Sequence, residues 1–331
     1  MNYFDQIIEG CETNIFSLLG KDSANLNEIA KRGLFKRNVE IINLELSYQC
    51  NRKCDYCPVS TSSRMNKQTY ISDDVFERIC RDLAIIRYEN RISLNLYNEP
   101  LLDATLEEKI HALKSVLPFC HIQLNSNGDK LTAERLTKLV TAGLNSMCIT
   151  LHPPANKSQS IETIKNRVLK LCARFGDPEL PDLDSAIFSG YLTIRHSGVS
   201  IRLQWPNWRI DGTDRAGLLL NQAGAVKLRT QPCAKPFREF TIFYDGTVQP
   251  CCESFHDDNI NLVPVGNLHE NSIFDVYSSD ILSKFRKSVF DFGPKGGICA
   301  TCSVADFSSP RDDVKRKAIL LRLNVPSHHE N

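Results

Sequence analysis

Seven of the thirteen cysteines in this chain of 331 residues fall into two closely spaced groups. The first group, Cys50, Cys54 and Cys57, lies on one short segment. Three thiolates on one loop can hold three irons of a cubane [4Fe–4S] cluster, and the fourth iron then has no protein ligand. An open coordination position is what a catalytic metal site requires. Tight clusters and an odd total favour metal or redox sites over a disulfide framework.

The second group lies near the C-terminus and consists of Cys233, Cys251, Cys299 and Cys302. The Asp-Gly pair at 245–246 predicts a hairpin turn that brings Cys233 and Cys251 together at the base of the hairpin. The pair Cys299 and Cys302 then adds two closely spaced thiols. Four thiolates can fully ligate one further [4Fe–4S] cluster. The same residue types also form zinc ribbons, so zinc is an alternative.

Strands and helices alternate along the central part of the chain. Apolar residues recur with a period of two at 42–46, where Asn43 and Glu45 separate Ile42, Leu44 and Leu46. Further strands are predicted at 92–96, 122–124, 147–151, 191–194 and 199–203, with helical patterns between the earlier ones. This repeat predicts a parallel sheet that closes partly or fully into a barrel. Ligand-binding residues are then expected at the carboxyl ends of the strands.

The first cysteine loop and the polar strand ends together resemble the radical SAM superfamily. The loop follows the first strand, and the aromatic Tyr56 precedes its third cysteine. The segment Asn98-Glu99-Pro100 resembles the family's Gly-Gly-Glu-Pro segment, with Tyr97 and Asn98 in place of the two glycines. The resemblance implies that S-adenosylmethionine (SAM) binds on the open iron. It also implies SAM contacts from the following residues: Tyr56, Asn98, Glu99, Asn125, Ser126 and Arg202.

The sequence allows more than one role for some of the residues at the strand ends. Arg202 can bind either the SAM carboxylate or the substrate, and Arg202 and Arg209 can equally be surface charges. His152 follows the fourth strand and either faces the site or caps the strand; we assign it no role. Taken alone, the Asn-Gly pair at 127–128 is only a turn signal.

The second cysteine group resembles the SPASM or twitch extension found in radical SAM maturases of peptides and aminoglycosides. The matching elements are Cys233, Gly246, Cys251 and the pair Cys299 and Cys302. No cysteine follows Cys302, so the shorter twitch form with one auxiliary cluster fits better than the full SPASM form.

The expected fold class is α/β, a partial (β/α)6 radical SAM barrel with a small α+β twitch domain. We predict a helical cap at 1–35, the barrel at 36–225, the auxiliary-cluster domain at 226–308, and a helix and tail at 309–331. The basic residues at 315–317 are expected on a solvated helix face. Cys80, Cys148 and Cys172 are expected as small core residues.

Composition limits the partners and the compartment. A formal net charge of +1 argues against nucleic acid as a partner. The sequence shows no signal peptide and no apolar stretch long enough to span a bilayer, so a cytoplasmic protein without membrane contact is expected.

The function implied is radical chemistry on a C–H bond. Flavodoxin or ferredoxin supplies an electron, SAM is cleaved to a 5′-deoxyadenosyl radical, and the radical abstracts hydrogen from a small natural product or peptide. An auxiliary cluster with four thiolates can exchange an electron with the substrate, which favours oxidation by dehydrogenation or bond formation. One alternative is a redox-neutral epimerase with Cys252 as catalytic hydrogen donor. Another is a non-catalytic iron–sulfur or zinc module that recognises a peptide or RNA.

Overall fold

The computed structural model describes residues 12–20, 25–65, 68–152, 160–175, 190–206, 212–219, 227–257, 263–304 and 313–324. Within these residues nine strands form one sheet in the order β5-β6-β4-β3-β2-β1-β7-β8-β9. The strands are β1 Ile41–Leu44, β2 Arg91–Ser93, β3 His121–Ser126, β4 Ser146–Thr150, β5 Gly190–His196, β6 Val199–Trp205, β7 Glu239–Ile242, β8 Thr247–Gln249 and β9 Gly266–Asn267.

Helices connect most of the parallel strands and cover one face of the sheet. The described helices are α1 Glu12–Leu19, α2 Glu28–Asn38, α3 Asp73–Ile85, α4 Leu106–Val116, α5 Ala133–Ala142, α6 Ile161–Arg174, α7 Lys235–Arg238, α8 Ile273–Tyr277, α9 Asp280–Ser288 and α10 Asp313–Asn324. At the N-termini of several helices, a side-chain oxygen accepts a hydrogen bond from a backbone N–H group. Thr132 caps α5 in this way and Ser160 caps α6. None of the described helices is long and apolar enough to cross a membrane.

The two faces of the parallel strands differ in polarity. Ile42, Ile92 and Ile122 lie at equivalent register positions and are all buried in the core under the helices. Their neighbours alternate to the other face, because successive side chains of a strand point to opposite sides. One such neighbour, Asn43, lines a cavity on that face. The predicted period of two therefore separates an aliphatic outer face from a polar inner face.

The edge of the sheet departs from the all-parallel prediction. β5 pairs with β6 in the antiparallel sense, whereas β6 is parallel to β4. Ser197 and Gly198 join β5 to β6 and have φ of 49° and 83°. A two-residue turn with positive φ at both positions connects antiparallel strands. The prediction of a parallel strand at 191–194 is therefore wrong in direction.

The predicted C-terminal hairpin is confirmed, and it extends the barrel sheet. β7 and β8 are antiparallel and are joined through Gly246, whose φ is 77°. β7 also pairs in the parallel sense with β1, with Asn43 opposite Thr241. The sheet is therefore continuous across the predicted boundary at 225–226, and the domain limits stay predictions.

The helix α2 attaches the N-terminal segment to the C-terminal helices. The ring of Phe35 packs edge-to-face against four rings, those of Tyr88, Phe240, Phe274 and Tyr277, with centroids 5.2 to 6.3 Å apart. The Lys31 ammonium also lies 2.5 Å from the Asp275 carboxylate. This aromatic cluster joins three parts of the chain that are far apart in sequence.

The basic residues of α10 do not all face solvent. Lys315 and Lys317 are exposed, as predicted. Arg316 is fully buried, and its guanidinium lies 5.5 Å from the centre of the Phe292 ring. The solvated-face prediction is wrong for this residue, because its helical position faces the molecule.

We expect Phe35→Ala to lower the free energy of unfolding by about 3–5 kcal/mol, because it opens a cavity among four packed rings. The matched control is Phe119→Ala, since the Phe119 side chain is 81% exposed. That change should alter stability by less than about 0.5 kcal/mol. Urea denaturation followed by circular dichroism measures both, and equal effects of the two changes would contradict the role of the aromatic cluster.

Candidate active site

A cavity of about 610 Å³ lies at the inner face and carboxyl ends of the parallel strands. The first cysteine group and every predicted SAM contact line it together with Cys252. The ten residues are Cys50, Cys54, Tyr56, Cys57, Asn98, Glu99, Asn125, Ser126, Arg202 and Cys252. The fold thus collects at one site residues that lie up to about two hundred positions apart in sequence. Their roles toward cofactors stay predictions.

The first cysteine loop is compact and mostly buried. The Cys57 N–H donates to the Cys54 carbonyl at 3.0 Å. Burial raises the pKa of the Cys50 thiol to about 12, and the neighbouring thiols Cys54 and Cys57 contribute in the same direction. Burial also raises the pKa of Cys54 and of Cys57. Since thiolates are the forms that bind iron, cluster binding must release these protons.

The arrangement of donors fits a cluster. Across the described ranges, no three Cys, His, Asp or Glu side chains converge as the ligands of a single metal ion do. A cubane binds each thiolate through a different iron, so its ligands need not converge on one point. Three thiols on one cavity wall satisfy that requirement.

A buried ion pair supports the loop from beneath. Arg64 and Glu45 are both fully buried, with Nη1 and Oε1 2.6 Å apart. Arg64 also donates to the carbonyls of Tyr48 and His256, at 3.2 and 2.5 Å. The Tyr97 N–H donates to the same Glu45 oxygen at 3.0 Å. Burial raises the pKa of Glu45, and the Arg64 charge opposes this shift.

Glu99 ties the ends of two strands together. Its carboxylate accepts from the Ser126 hydroxyl and the Asn127 N–H, each at 2.7 Å, and from the Leu101 N–H at 3.1 Å. Burial raises the pKa of Glu99, while these hydrogen bonds favour the ionised form. Two residues that the sequence predicts as separate SAM contacts, Glu99 and Ser126, therefore also contact each other.

His152 faces the site and contacts Tyr56. The Tyr56 hydroxyl lies 2.8 Å from His152 Nδ1, and the two rings are stacked with 17° between their planes. Burial, together with the charges of Arg52 and Arg167, lowers the pKa of His152 to about 4. The imidazole is therefore neutral at physiological pH. Arg52 is itself held by Asp129, to which its Nε donates at 2.6 Å.

An arginine that the sequence analysis missed also lines the cavity. Arg215 Nη1 lies 3.0 Å from the Glu253 carboxylate, and its guanidinium lies 5.7 Å from the centre of the Tyr97 ring. Arg215 and Ala216 have φ of 48° and 57°. This conformation costs about 1–2 kcal/mol for each non-glycine residue. Nothing in the spacing of the sequence marks Arg215, because its role depends on this unusual turn.

The second cysteine group lines a smaller neighbouring cavity. All four predicted ligands, Cys233, Cys251, Cys299 and Cys302, contribute to its wall. Burial raises the pKa of Cys233, Cys251 and Cys299 to about 12. Arg229 braces the wall by donating to the carbonyls of Pro232 and Val304, each at 2.5 Å. The donor set is that of a fully ligated cubane.

Cys252 lies between the two cavities. It lines the large cavity, while its neighbours Cys251 and Glu253 line the small one. Its thiol sulfur lies 3.1 Å from Lys235 Nζ, and Lys235 also lines the small cavity. Lys235 in turn lies 3.2 Å from the Glu239 carboxylate.

The remaining cysteines divide between core and cavity. Cys172 and Cys80 pack in the hydrophobic core, as predicted. Cys148 lines the large cavity on the polar inner face, so its prediction as a core residue is wrong. The reason is register, since Met147 and Ile149 take the core positions on either side. Cys120 is buried and contacts the Asn90 carbonyl. Cys11 and the predicted candidate Arg209 lie outside the described residues.

Family comparisons identify the two parts of this site. Residues 44–179 match the model of the Radical SAM superfamily, and residues 233–303 match that of an iron–sulfur cluster-binding domain, SPASM. The chain therefore carries a radical SAM domain followed by a SPASM-type domain, which confirms the resemblance. Together they define a radical SAM enzyme whose cofactors are SAM and [4Fe–4S] clusters.

Individual relatives agree with this class. The S-adenosyl-L-methionine-dependent 2-deoxy-scyllo-inosamine dehydrogenase of Niallia circulans is 26% identical over 265 residues, covering 80% of this chain and 92% of that protein. The structure of BtrN in complex with AdoMet and 2-DOIA has a TM-score of 0.60 and 23% identity, over 82% and 96% of the two chains. The structure of BtrN in an open conformation has a TM-score of 0.52 and 21% identity, and the match covers 80% of this chain and 92% of that chain. These likenesses confirm the predicted α/β fold class.

The lowered pKa of His152 predicts a pH-dependent stability. Above pH 6.5 the imidazole is neutral in both the folded and the unfolded chain. Between pH 6.5 and about 4, the unfolded chain binds a proton that the folded chain does not. The free energy of unfolding therefore decreases as the pH is lowered through this range. Relative to His152→Gln, the wild-type unfolding free energy should drop by about 2 kcal/mol from pH 7 to pH 5. A constant difference across this range in urea titrations would contradict the prediction.

Proposed function

We propose that this enzyme dehydrogenates a small polyhydroxylated natural product at a carbon that bears a hydroxyl group. When bound, the first cluster and SAM supply a 5′-deoxyadenosyl radical that removes a hydrogen atom from such a carbon. Cys50, Cys54 and Cys57 would hold that cluster, and Glu99 and Asn98 lie on the wall that would face SAM.

The observation that carries the proposal is the closeness of the two cysteine cavities. A single backbone segment separates them, because Cys252 lines one cavity and Cys251 the other. After loss of a hydrogen atom, a hydroxyl-bearing carbon becomes a carbonyl by giving up one proton and one electron. The second cluster, held by the four C-terminal cysteines, would serve as the nearby electron acceptor. A redox-neutral reaction has no use for such an acceptor.

The cavity wall supports a polar small-molecule substrate. Arg215 and Tyr97 present a guanidinium and an aromatic ring between the two cysteine groups. The relative from Niallia circulans is named for the oxidation of an amino-cyclitol, which favours this class over a peptide. We further propose flavodoxin or ferredoxin as the electron donor. A reducing compartment such as the cytoplasm suits the described cysteines, which are free thiols.

The cluster assignment predicts iron content after anaerobic reconstitution. Wild type should hold about eight irons per chain, and the Cys50/Cys54/Cys57→Ala variant about four. Replacing Cys233, Cys251, Cys299 and Cys302 by Ala should likewise leave about four and should leave SAM cleavage possible. The matched control is Cys80→Ala, a change in the core that should keep about eight. About four irons in wild type would overturn the second cluster and the oxidative reaction with it.

Cys252 supports a second candidate, redox-neutral epimerisation, because its thiol lines the large cavity. The two reactions differ in product mass and in the effect of Cys252→Ala. With 2-deoxy-scyllo-inosamine as probe, reduced enzyme and SAM should give 5′-deoxyadenosine and a product that has lost two hydrogens. We expect Cys252→Ala to keep this product within about tenfold of wild type, since the thiol transfers no hydrogen in dehydrogenation.

Mass spectrometry of reactions in deuterium oxide separates the outcomes. A product of unchanged hydrogen count that carries one solvent deuterium, and that disappears in Cys252→Ala, would establish the epimerase and overturn the dehydrogenase. Absence of 5′-deoxyadenosine from fully reconstituted and reduced enzyme would overturn both.

A further inference from the structure

Among the described residues, three charged side chains line the small cavity beside the four predicted ligands of the second cluster. They are Arg229, Lys235 and Glu253. The Glu253 carboxylate has a cationic partner, since Arg215 Nη1 lies 3.0 Å from it. The Arg229 guanidinium braces the wall by donating to backbone carbonyls around the cavity. Bracing accounts for Arg229, and the role of the Lys235 ammonium is left to explain.

The Lys235 side chain extends from one predicted ligand to the neighbour of another. Lys235 follows Cys233 by two residues, and its Nζ lies 3.1 Å from the sulfur of Cys252, the residue next to Cys251. The same Nζ lies 3.2 and 3.4 Å from the two carboxylate oxygens of Glu239. These contacts fix the ammonium at the base of the hairpin that carries two of the four ligands.

The ion pair of Lys235 and Glu239 is oriented with respect to the small cavity. Lys235 lines that cavity, whereas Glu239 lies on β7 outside its lining. Glu239 Oε2 is directed to β1, where it accepts from Asn43 Nδ2 at 3.5 Å. The Lys235 side chain is 21% exposed and the Glu239 side chain 12%, so water screens the pair only weakly. The positive end of the pair is therefore the end at the cavity.

The rest of the wall makes a nearby charge effective. Apolar side chains complete it, namely Pro236, Phe285, Val289 and Ile298. Reduction adds one electron to a centre that four thiolates already make anionic, so a fixed cation stabilises the reduced form. A unit charge ~10 Å away, in a medium with an effective dielectric constant of ~20, changes such an equilibrium by about tenfold or more.

We propose that Lys235 raises the reduction potential of the second cluster and so makes that cluster a better electron acceptor. This role rests on the proposed function. In that reaction the substrate radical gives one electron to the second cluster, releases its hydroxyl proton to water and becomes a carbonyl. Lys235 acts through the cluster and touches no reacting atom, so its effect is measured on the cluster itself.

An anaerobic redox titration of the second cluster, followed by electron paramagnetic resonance (EPR), tests this role without substrate or turnover. The Cys50/Cys54/Cys57→Ala variant is the parent, because it should hold the C-terminal cluster alone. In this parent, Lys235→Gln should lower the ratio of reduced to oxidised cluster at a fixed potential by about tenfold, which is about 59 mV for a one-electron couple. Lys235→Arg keeps the charge and should stay within about threefold of the parent.

Two further changes separate charge from structure. Lys284→Gln removes the same charge from an exposed position of α9 and should leave the ratio unchanged. Glu239→Gln removes the opposite charge and should raise the ratio. Iron content and the shape of the EPR signal check that each variant holds an intact cluster. If Lys235→Gln holds no cluster, Glu239→Gln decides the matter, because only an effect of charge predicts a raised ratio.

Three results would overturn this role of Lys235 and leave the proposed function standing. The first is an unchanged ratio in Lys235→Gln with an intact cluster. The second is a Lys235→Arg variant that shifts as far as Lys235→Gln. The third is an unchanged or lowered ratio in Glu239→Gln. A parent without any C-terminal cluster would instead overturn the oxidative reaction, and the role of Lys235 with it.

Discussion

The buried pair of Arg64 and Glu45 is the interaction on which the two cavities depend. Glu45 follows β1 and accepts from the Tyr97 N–H, so it fixes the turn after β2. Arg64 lies beyond the cysteine loop and reaches the His256 carbonyl of the C-terminal segment. Removing one partner of such a pair costs about 3–5 kcal/mol, because the other charge is left buried. One ion pair therefore holds the cysteine loop, a strand end and the auxiliary segment in fixed positions relative to one another.

The enzyme also depends on a sheet with two chemically different faces. Parallel sheets are usually apolar on both faces, because helices or a packed core cover them. Here only the outer face is apolar, and hydrogen bonds between neighbours satisfy the inner one. Gln204 donates to the Thr150 hydroxyl at 2.9 Å, and the Gln123 side-chain amide donates to Asn125 Oδ1 at 3.0 Å. The inner face thus remains a cavity wall that can receive a cofactor and a polar substrate.

The two groups of thiols occupy different surroundings, in agreement with different tasks. The first group opens on the large cavity, where an iron without a protein ligand would meet SAM. The second group encloses a small cavity, in which four thiolates leave no position for substrate. Cys252 and Glu253 form the partition between the cavities, and the contacts of Glu253 with Arg215 stabilise it. An electron acceptor must lie close to the substrate but does not need to contact it, and the second group of thiols meets both conditions.

The sequence by itself determined the cofactor chemistry and the order of the elements, because thiol spacing, turn residues and a period of two are local properties. It identified both cysteine groups, the strand ends with Glu99 and Ser126, and the Asp-Gly hairpin. Only the tertiary structure decided the antiparallel direction of β5, the exposure of Cys148 to the cavity and the partners of Arg215. These depend on register and on contacts such as Arg64 with His256, 192 positions apart. Spacing along a chain carries no information about such contacts, since packing of the whole sheet selects them.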